Sequence, residues 1–444
     1  MNCAEKRLDL CQPLELQPFR IARKRLLSQV FYMSLSTLPL LRLLPKTPGV
    51  QTFALIAGME ALVRGSMLSV FPIIMYRAWG SAVHVSEIYF AIGLISLLVA
   101  LTVPTLTRHV SRRHVYLGTI MLYVLSAAIG SLGGKWVSLA LLCNATGAAT
   151  GFVCFNSYVL DHIDRADFGR LETTRLLYGG LGWVAGPAAG VWLMSLWSGA
   201  PFVLMGFAAL CMLLLVWQLQ LGQGRTMVRS RASNPLSNVL RFAAQPRLVA
   251  GWILALVRSC GWWFYFVYVG IYAVENGLDD KVGGMAASVA NLGLFLAPFM
   301  YRWMQQGSVR KALRAGTMYS GLCFIAASLL FKLPHLAVAM LVLATLFLVL
   351  LDVAGNLPFM MAVKPSERTE MSSVYSSFRD ASGILSPGIA WLVLLVSPVG
   401  GVFAACGLGL IGAWAVAGKL HPQLGVAGAV RAQGRRDKAA RRSS

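Results

Sequence analysis

Charged residues are scarce in this sequence, and acidic residues are the scarcest. Only 13% of the 444 residues are charged, whereas 57% are hydrophobic; soluble domains carry about a quarter charged residues. Asp and Glu together number 17, against 39 Lys and Arg. This composition excludes a soluble globular fold, because such a fold has no interior large enough to hide so much apolar surface.

The sequence also lacks the motifs that carry catalysis or metal binding. It contains no G-x-S-x-G, no H-E-x-x-H and no G-x-x-x-x-G-K-[ST], which are patterns of hydrolases, zinc proteases and nucleotide-binding loops. Its 8 cysteines are scattered without paired spacing, and no cluster of histidines accompanies them. The sequence therefore predicts no enzyme, no ATP-driven step, no cofactor, no metal site and no disulfide framework.

Long apolar runs take up most of the chain. They are about 20 residues long, which is what a helix needs to cross roughly 30 Å of hydrocarbon, and they are continuous, unlike the alternating strands of a barrel. We therefore predict an all-α polytopic membrane protein with twelve transmembrane helices. The predicted spans are 51–76, 86–106, 115–134, 136–160, 172–196, 201–220, 248–274, 284–304, 313–331, 336–361, 372–396 and 399–419.

The positive charges lie mainly on one side of the predicted membrane. A net charge of +22 is compatible with nucleic-acid binding or with membrane topology, and the distribution of Lys and Arg decides for topology. Two arginines, Arg64 and Arg258, fall within spans, and all others except four are assigned to the cytoplasmic side. We expect a bacterial-type inner membrane, both termini in the cytoplasm, contact with the lipid bilayer and no nucleic acid. The four exceptions are Arg77, Lys135, Lys281 and Lys332.

The second half of the chain repeats the first in the same orientation. The tetrapeptide A-L-V-R that ends at Arg64 recurs, 194 residues later, ending at Arg258. Asn156 and Pro187 find equivalents 200 residues later in Asn356 and Pro387. Two parallel six-helix repeats follow, with tails and a linker around them. The predicted segments are a basic tail at 1–50, bundles at 51–220 and 248–420, a flexible basic linker at 221–247 and a basic tail at 421–444.

The chain resembles the major facilitator superfamily over residues 51–419. That family's G-x-x-x-D-R-x-G-R-R loop between spans two and three survives here in its last two arginines, Arg112 and Arg113, whereas Arg108 replaces its acidic residue. The resemblance implies a cytoplasmic gate in which Arg112 and Arg113 pair with helix ends. Asp161 and Arg170, in the loop between spans four and five, either take part in such pairs or are simply solvated.

A glycine-rich run in span five is similar to part of a motif of antiporters in this superfamily. Two interpretations stay open for it: close helix packing, which small residues favour in lipid, or a hinge. Its members are Gly182, Gly186, Pro187 and Gly190.

The two intramembrane arginines are the first candidates for substrate binding. A charge at the bilayer centre costs roughly 2.5 kcal/mol or more, so it needs a reason. Arg64 and Arg258 occupy equivalent repeat positions and would face one cavity, where two guanidiniums can hold a carboxylate or phosphate. The alternative is internal pairing, because Glu60 lies one turn before Arg64.

Further polar and aromatic residues fall within the spans. Span seven places Trp262 and Tyr265 at helical spacing from Arg258, which suggests a cavity wall for a flat ring. Asn156 and Asn356 are candidate substrate ligands from spans four and ten. They, like Asp352, can equally be hydrogen-bonded helix contacts.

These residues favour a secondary transporter of a small organic solute, anionic and possibly aromatic, that works by alternating access. Glu60 and Asp352 are the candidate proton-coupling residues, for symport or antiport, in a monomer. One alternative is proton-driven efflux of hydrophobic or drug-like compounds. The other is a non-transporting sensor or assembly factor on the same fold.

Overall fold

The computed structural model describes residues 49–163, 167–219, 235–363 and 367–420. The two predicted tails lie almost entirely outside these ranges, as does the first part of the predicted linker.

Helices make up nearly all of the described chain, in an arrangement of twelve successive spans. Each predicted apolar run corresponds to one span, so the predicted all-α fold with two six-helix repeats is confirmed. The helices, in chain order, are Val50–Met67 and Val70–Trp79 (span 1), Ala82–His109 (2), Arg112–Ser131 (3), Val137–His162 (4), Phe168–Leu196 (5), Ala200–Leu219 (6), Pro246–Glu275 (7), Asp280–Leu292 and Ala297–Gln306 (8), Val309–Leu329 (9), Pro334–Gly355 and Leu357–Ala362 (10), Arg368–Ser376 and Phe378–Leu394 (11) and Val399–Gly418 (12).

Ten of these spans are long and apolar enough to cross a membrane. The other two are spans 9 and 11. Span 9 begins with a basic turn that contains Arg310, Lys311 and Arg314, and span 11 is interrupted between Ser376 and Phe378. Both departures place polar groups where a membrane helix normally has none, so each has a bearing on function.

Local sequence explains where several spans begin and end. Pro246 and Pro334 stand at the first turns of spans 7 and 10, where a missing N–H costs nothing. Gly80 ends span 1 with a φ of 66°, a backbone conformation that side chains with a Cβ rarely adopt. Asp279 and Ser308 cap spans 8 and 9, because their side chains accept hydrogen bonds from the first-turn backbone.

The two six-helix bundles contact each other mainly on one side of the molecule. We call the end at which spans 1 and 7 begin the basic side, and the other end the opposite side. On the opposite side Arg77 of span 1 pairs with Asp280 of span 8, and the hydroxyls of Ser86 and Tyr268 lie 2.7 Å apart. These bonds between the two bundles close this conformation at the opposite side.

Part of the predicted flexible linker is ordered. Residues Pro235–Ala243 form a helix, and its Arg241 pairs with Glu367 at 2.6 Å and with Glu370 at 3.0 Å. The hydrogen bond that Arg241 donates to Glu367 raises the pKa of Arg241. Phe242 stacks on Phe359 of span 10. The expectation of a flexible connector is therefore wrong for this part, because ion pairs and an aromatic contact attach it to the second bundle.

The glycine-rich run of span 5 lies directly against span 1. A Cβ on Gly182 would come within 2.7 Å of span 1 backbone, one on Gly186 within 2.6 Å of Gly65, and one on Gly190 within 2.0 Å of the Ser66 carbonyl oxygen. The two backbones therefore approach as closely as two helices can, which brings Arg64 next to span 5.

Pro187 interrupts the backbone hydrogen bonding of span 5 and faces the second bundle. A Cβ on Gly284 of span 8 would lie 2.9 Å from the Pro187 carbonyl oxygen, and the next N–H, that of Ala188, donates to Ser288 at 3.0 Å. This position therefore belongs to the contact that closes the opposite side.

We expect the substitution Gly190→Ala to destabilise the protein by about 1–3 kcal/mol, because the new methyl group would overpack the contact with Ser66. The matched control is Gly180→Ala on the same helix, where a Cβ meets nothing within 4 Å. The control should be neutral or slightly stabilising, since Ala is favoured over Gly in helices by about 0.5–1 kcal/mol. Thermal unfolding of the purified full chain in detergent measures both; equal midpoints would contradict this contact.

Candidate functional site

The intramembrane charges lie near the middle of the molecule, in two groups, one in each bundle. In the first bundle, Arg64 and Glu60 approach to 3.7 Å at the spacing of one helical turn. The Arg64 guanidinium also lies 5.4 Å from the ring centre of Trp183 on span 5. The Arg64 side chain stays 40% exposed and that of Glu60 16%, so this pair is loose and open on the arginine side.

Two tyrosines surround the other side of Glu60. Tyr116 and Tyr123 of span 3 are fully buried, and both lie within electrostatic range of Glu60. Glu60 therefore lies near a partly exposed guanidinium and near two buried phenol groups.

In the second bundle the arginine is tightly paired. The Arg258 Nε lies 3.2 Å from Asp352 Oδ1, and only 9% of the Arg258 side chain is exposed. Trp262 donates a hydrogen bond from Nε1 to the other carboxylate oxygen at 2.9 Å. Gly355 makes room for the guanidinium, because a Cβ there would lie 2.7 Å from it. The sequence has no acidic residue close to Arg258 on span 7, and its partner Asp352 comes from span 10.

A third arginine, Arg379, joins the site, and sequence analysis missed it. The charge distribution counts Arg379 with the cytoplasmic residues. Its position inside the predicted eleventh span is the signal that indicates an intramembrane arginine. The structure places it in the helix Phe378–Leu394, with its guanidinium 5.4 Å from the Phe152 ring of span 4 and 5.8 Å from Phe378. Its side chain is exposed, and it forms no ion pair with any described residue.

Arg379 connects the two groups across the interface between the bundles. It is close enough to both Arg258 and Arg175 for electrostatic repulsion, and Arg175 of span 5 in turn attracts Glu60. A series of charges therefore runs from Glu60 through Arg175, Arg379 and Arg258 to Asp352. The arrangement provides both bundles with titratable and cationic groups that face one central space.

The other candidate substrate ligands, Asn156, Asn356 and Tyr265, lie in three different environments. Asn356 accepts a hydrogen bond from the hydroxyl of Tyr375 at 3.1 Å, and Asn156 is half-buried on span 4. Tyr265 is a correction: it is fully buried, and its hydroxyl donates to the carbonyl of Ala286 at 2.8 Å. In this conformation Tyr265 offers a solute no surface, because its ring packs between spans 7 and 8.

The structure describes three of the four residues predicted for a cytoplasmic gate. Arg113 donates to the Trp217 carbonyl at 3.3 Å and stacks on the Trp217 ring at 5.7 Å, within the first bundle. Arg170 is exposed, Arg112 is half-buried, and the side chain of Asp161 lies outside what the structure describes.

The described residues hold no metal-binding arrangement. No group of three or more His, Cys, Asp and Glu side chains among them is placed to bind an ion. The chemistry of this site is therefore ion pairing, hydrogen bonding and stacking.

Two six-helix bundles around a charged central site, in a multi-pass membrane protein, define a secondary transporter of a small molecule and not an enzyme. The model of the Major Facilitator Superfamily matches residues 53–387. The chain belongs to this superfamily.

Several solved structures share the fold. A nucleoside transporter, NupG, superposes with a TM-score of 0.63 at 13% identity, over 84% of this chain and 100% of that one. A POT family transporter in complex with 5-aminolevulinic acid gives 0.65 at 13% identity, over 84% and 97%. A bacterial homologue of the iron transporter ferroportin, in an inward-facing state, gives 0.62 at 12%, over 84% and 99%. No curated protein matches. At such low identity these likenesses show the fold alone.

Removal of the Asp352 charge should destabilise the protein more than removal of the Glu60 charge. Asp352→Asn leaves a buried Arg258 without its counter-charge, which should cost about 3–5 kcal/mol. Glu60→Gln leaves an arginine that is 40% exposed and should cost about 1 kcal/mol or less. Unfolding by denaturant in mixed micelles compares them.

The double substitution Arg258→Met with Asp352→Leu is the control for this comparison, because removing both charges should restore most of the lost stability. Equal losses for Asp352→Asn and Glu60→Gln would contradict the tight pairing of Arg258.

Proposed function

We propose that this protein carries a small organic anion across a bacterial-type inner membrane, and that the anion includes a flat or aromatic part. The observation that supports this most is Arg379, an exposed arginine between the bundles that forms no ion pair with a described residue. A fixed positive charge in such a place attracts an anion and repels a cation.

The three central arginines have different roles in this proposal. Arg258 is neutralised by Asp352 and stays buried, so it orients the site more than it binds. Arg64, loosely paired and 40% exposed, and Arg379 are the guanidiniums with free surface. In place of the clamp expected from the repeat, we propose Arg379 and not Arg258 as the second guanidinium beside Arg64. Guanidiniums bind carboxylate and phosphate oxygens with two parallel hydrogen bonds.

Aromatic rings accompany both free guanidiniums. Trp183 lies beside Arg64, and Phe152 lies beside Arg379. Rings in these positions hold the guanidinium planes and provide faces on which a flat solute can stack. An anion with an aromatic or heteroaromatic part therefore fits the site better than a compact inorganic one.

Proton coupling is assigned to Glu60 and Asp352. When a carboxylate gains a proton it no longer neutralises its arginine, so the arginine becomes free for the substrate. Glu60 is the better candidate, because its ion pair is already long and its neighbour Arg64 is exposed.

The distribution of charge also suggests the orientation. Loops on the basic side carry most of the Lys and Arg, and such loops face the cytoplasm. With that side in the cytoplasm, the conformation seen here is closed towards the exterior, and both termini are cytoplasmic. A single chain contains the two bundles that rock about the site, so we take the monomer as the working unit.

Reconstituted vesicles test the anion site. Uptake of labelled aromatic carboxylates should appear with wild type, and Arg379→Gln should raise the apparent KM by about 10- to 100-fold, the loss expected for one hydrogen-bonded charge of about 1.5–3 kcal/mol. The matched control is Arg302→Gln, an exposed arginine on the basic side, which should leave KM unchanged.

Two other outcomes identify the alternatives. Movement of lipophilic cations, indifferent to Arg379→Gln, would support efflux of hydrophobic compounds in place of anion transport. No flux of any solute by correctly folded protein would support a non-transporting sensor or assembly factor.

Coupling is tested with an imposed pH gradient. A gradient that is acidic on the side of uptake should stimulate wild-type flux, because protonation of Glu60 frees Arg64 to bind the anion. Glu60→Gln mimics the protonated form permanently, so flux should persist but lose its response to the gradient. Stimulation of the variant equal to that of wild type would assign the coupling proton elsewhere.

A further inference from the structure

A pocket on the lipid-facing surface, far from the central site, carries a charge that the transport function does not use. It has a volume of about 420 Å³ and lies at the basic-side ends of spans 9 and 12. Its lining includes Ser308, Arg310, Lys311, Arg314, Tyr319 and Trp414.

The pocket is cationic and its donors are unsatisfied. None of the residues that line it is acidic, and none of its three cations forms an ion pair with a described residue. The Nε atoms of both Arg310 and Arg314 are shielded from solvent and have no hydrogen-bond partner. Both arginines are half-buried and line the pocket, so their unpaired positive charge favours an anion with several oxygens there.

Two further features hold the donors in place. Arg314 stacks on the Trp414 ring at 4.2 Å, which fixes the plane of its guanidinium. The pocket also opens at the start of span 9, where Ser308 accepts a hydrogen bond from the Lys311 backbone at 3.2 Å. The helix dipole there adds positive potential.

The surroundings identify the anion as part of a lipid. Tyr319 lines the pocket and is 53% exposed, and beyond it span 9 presents Leu322 at 48% and Leu329 at 73%. Tyr319 stands at the middle of the helix Val309–Leu329, so the pocket extends from the basic end of span 9 towards its apolar half. A phosphate bound by the arginines would therefore have its acyl chains against an apolar helix face, an arrangement that a soluble anion does not require.

We propose that this pocket binds the phosphodiester headgroup of an anionic glycerophospholipid from the leaflet on the basic side. Arg310 and Arg314 hold the phosphate oxygens, Lys311 adds charge at the rim, and the acyl chains lie along span 9. Basic pockets between membrane helices are suited to such headgroups.

The test is lipid binding by the purified full chain, measured by native mass spectrometry with phosphatidylglycerol and phosphatidylcholine as probes. Wild type should retain phosphatidylglycerol selectively, and Arg310→Gln with Arg314→Gln should weaken its binding about tenfold or more, given about 1 kcal/mol for each basic residue at the surface. The matched control is Arg247→Gln with Arg302→Gln, two exposed basic-side arginines outside the pocket, which should bind as wild type does.

Competition separates the lipid from a soluble anion. Inorganic phosphate and glycerol phosphate at equal concentration should not displace phosphatidylglycerol; displacement by either would overturn the lipid assignment. Equal retention of the two lipids by wild type would overturn it too, whether or not the variant folds. Unchanged selectivity in the double variant would also refute the proposal. If the double variant does not fold, Lys311→Gln at the exposed rim is measured in its place, and unchanged selectivity of that variant refutes the proposal.

Discussion

A guanidinium inside the hydrocarbon layer has to be compensated, and the compensation of three arginines organises the centre of this molecule. Arg258 is compensated fully, by Asp352 from a neighbouring helix. Arg64 is compensated in part, by Glu60 one turn away. Arg379 has no ion pair with a described residue; it lies against two aromatic rings and is attracted by the adjacent Asp380. Because the cost of an intramembrane charge is at least about 2.5 kcal/mol, the proposed anion site rests on the least compensated arginine.

The two repeats solve the same problem in different ways. The arginines occupy equivalent positions, but the carboxylate comes from the arginine's own helix in the first bundle and from span 10 in the second. The site is therefore asymmetric: one wall is tightly bonded and structural, and the other is loose and open. Asp352 is bonded to two side chains, whereas Glu60 has one long contact with a partly exposed arginine.

Packing at the interface between bundles fits this division. Span 5 lies close against span 1 through its glycines, and Trp183 of span 5 lies beside Arg64. Arg379 is the second residue of the helix Phe378–Leu394 in span 11, and its guanidinium lies 5.4 Å from the ring of Phe152 on span 4 of the other bundle. The closed opposite side, with Arg77 and Asp280 paired, leaves the charged centre facing the basic side.

The sequence by itself determined the class of fold, the number of spans, the repeat and the pair of Arg64 with Glu60, because length, hydropathy and helical spacing are local properties of a chain. Only the tertiary structure decided that Asp352 neutralises Arg258, that Tyr265 is packed away and that Arg379 stands between the bundles. These facts depend on which faces of distant helices meet. In a membrane, where nearly every helix is apolar all round, hydrophobic periodicity says little about facing, so contacts between spans were not predictable from the sequence.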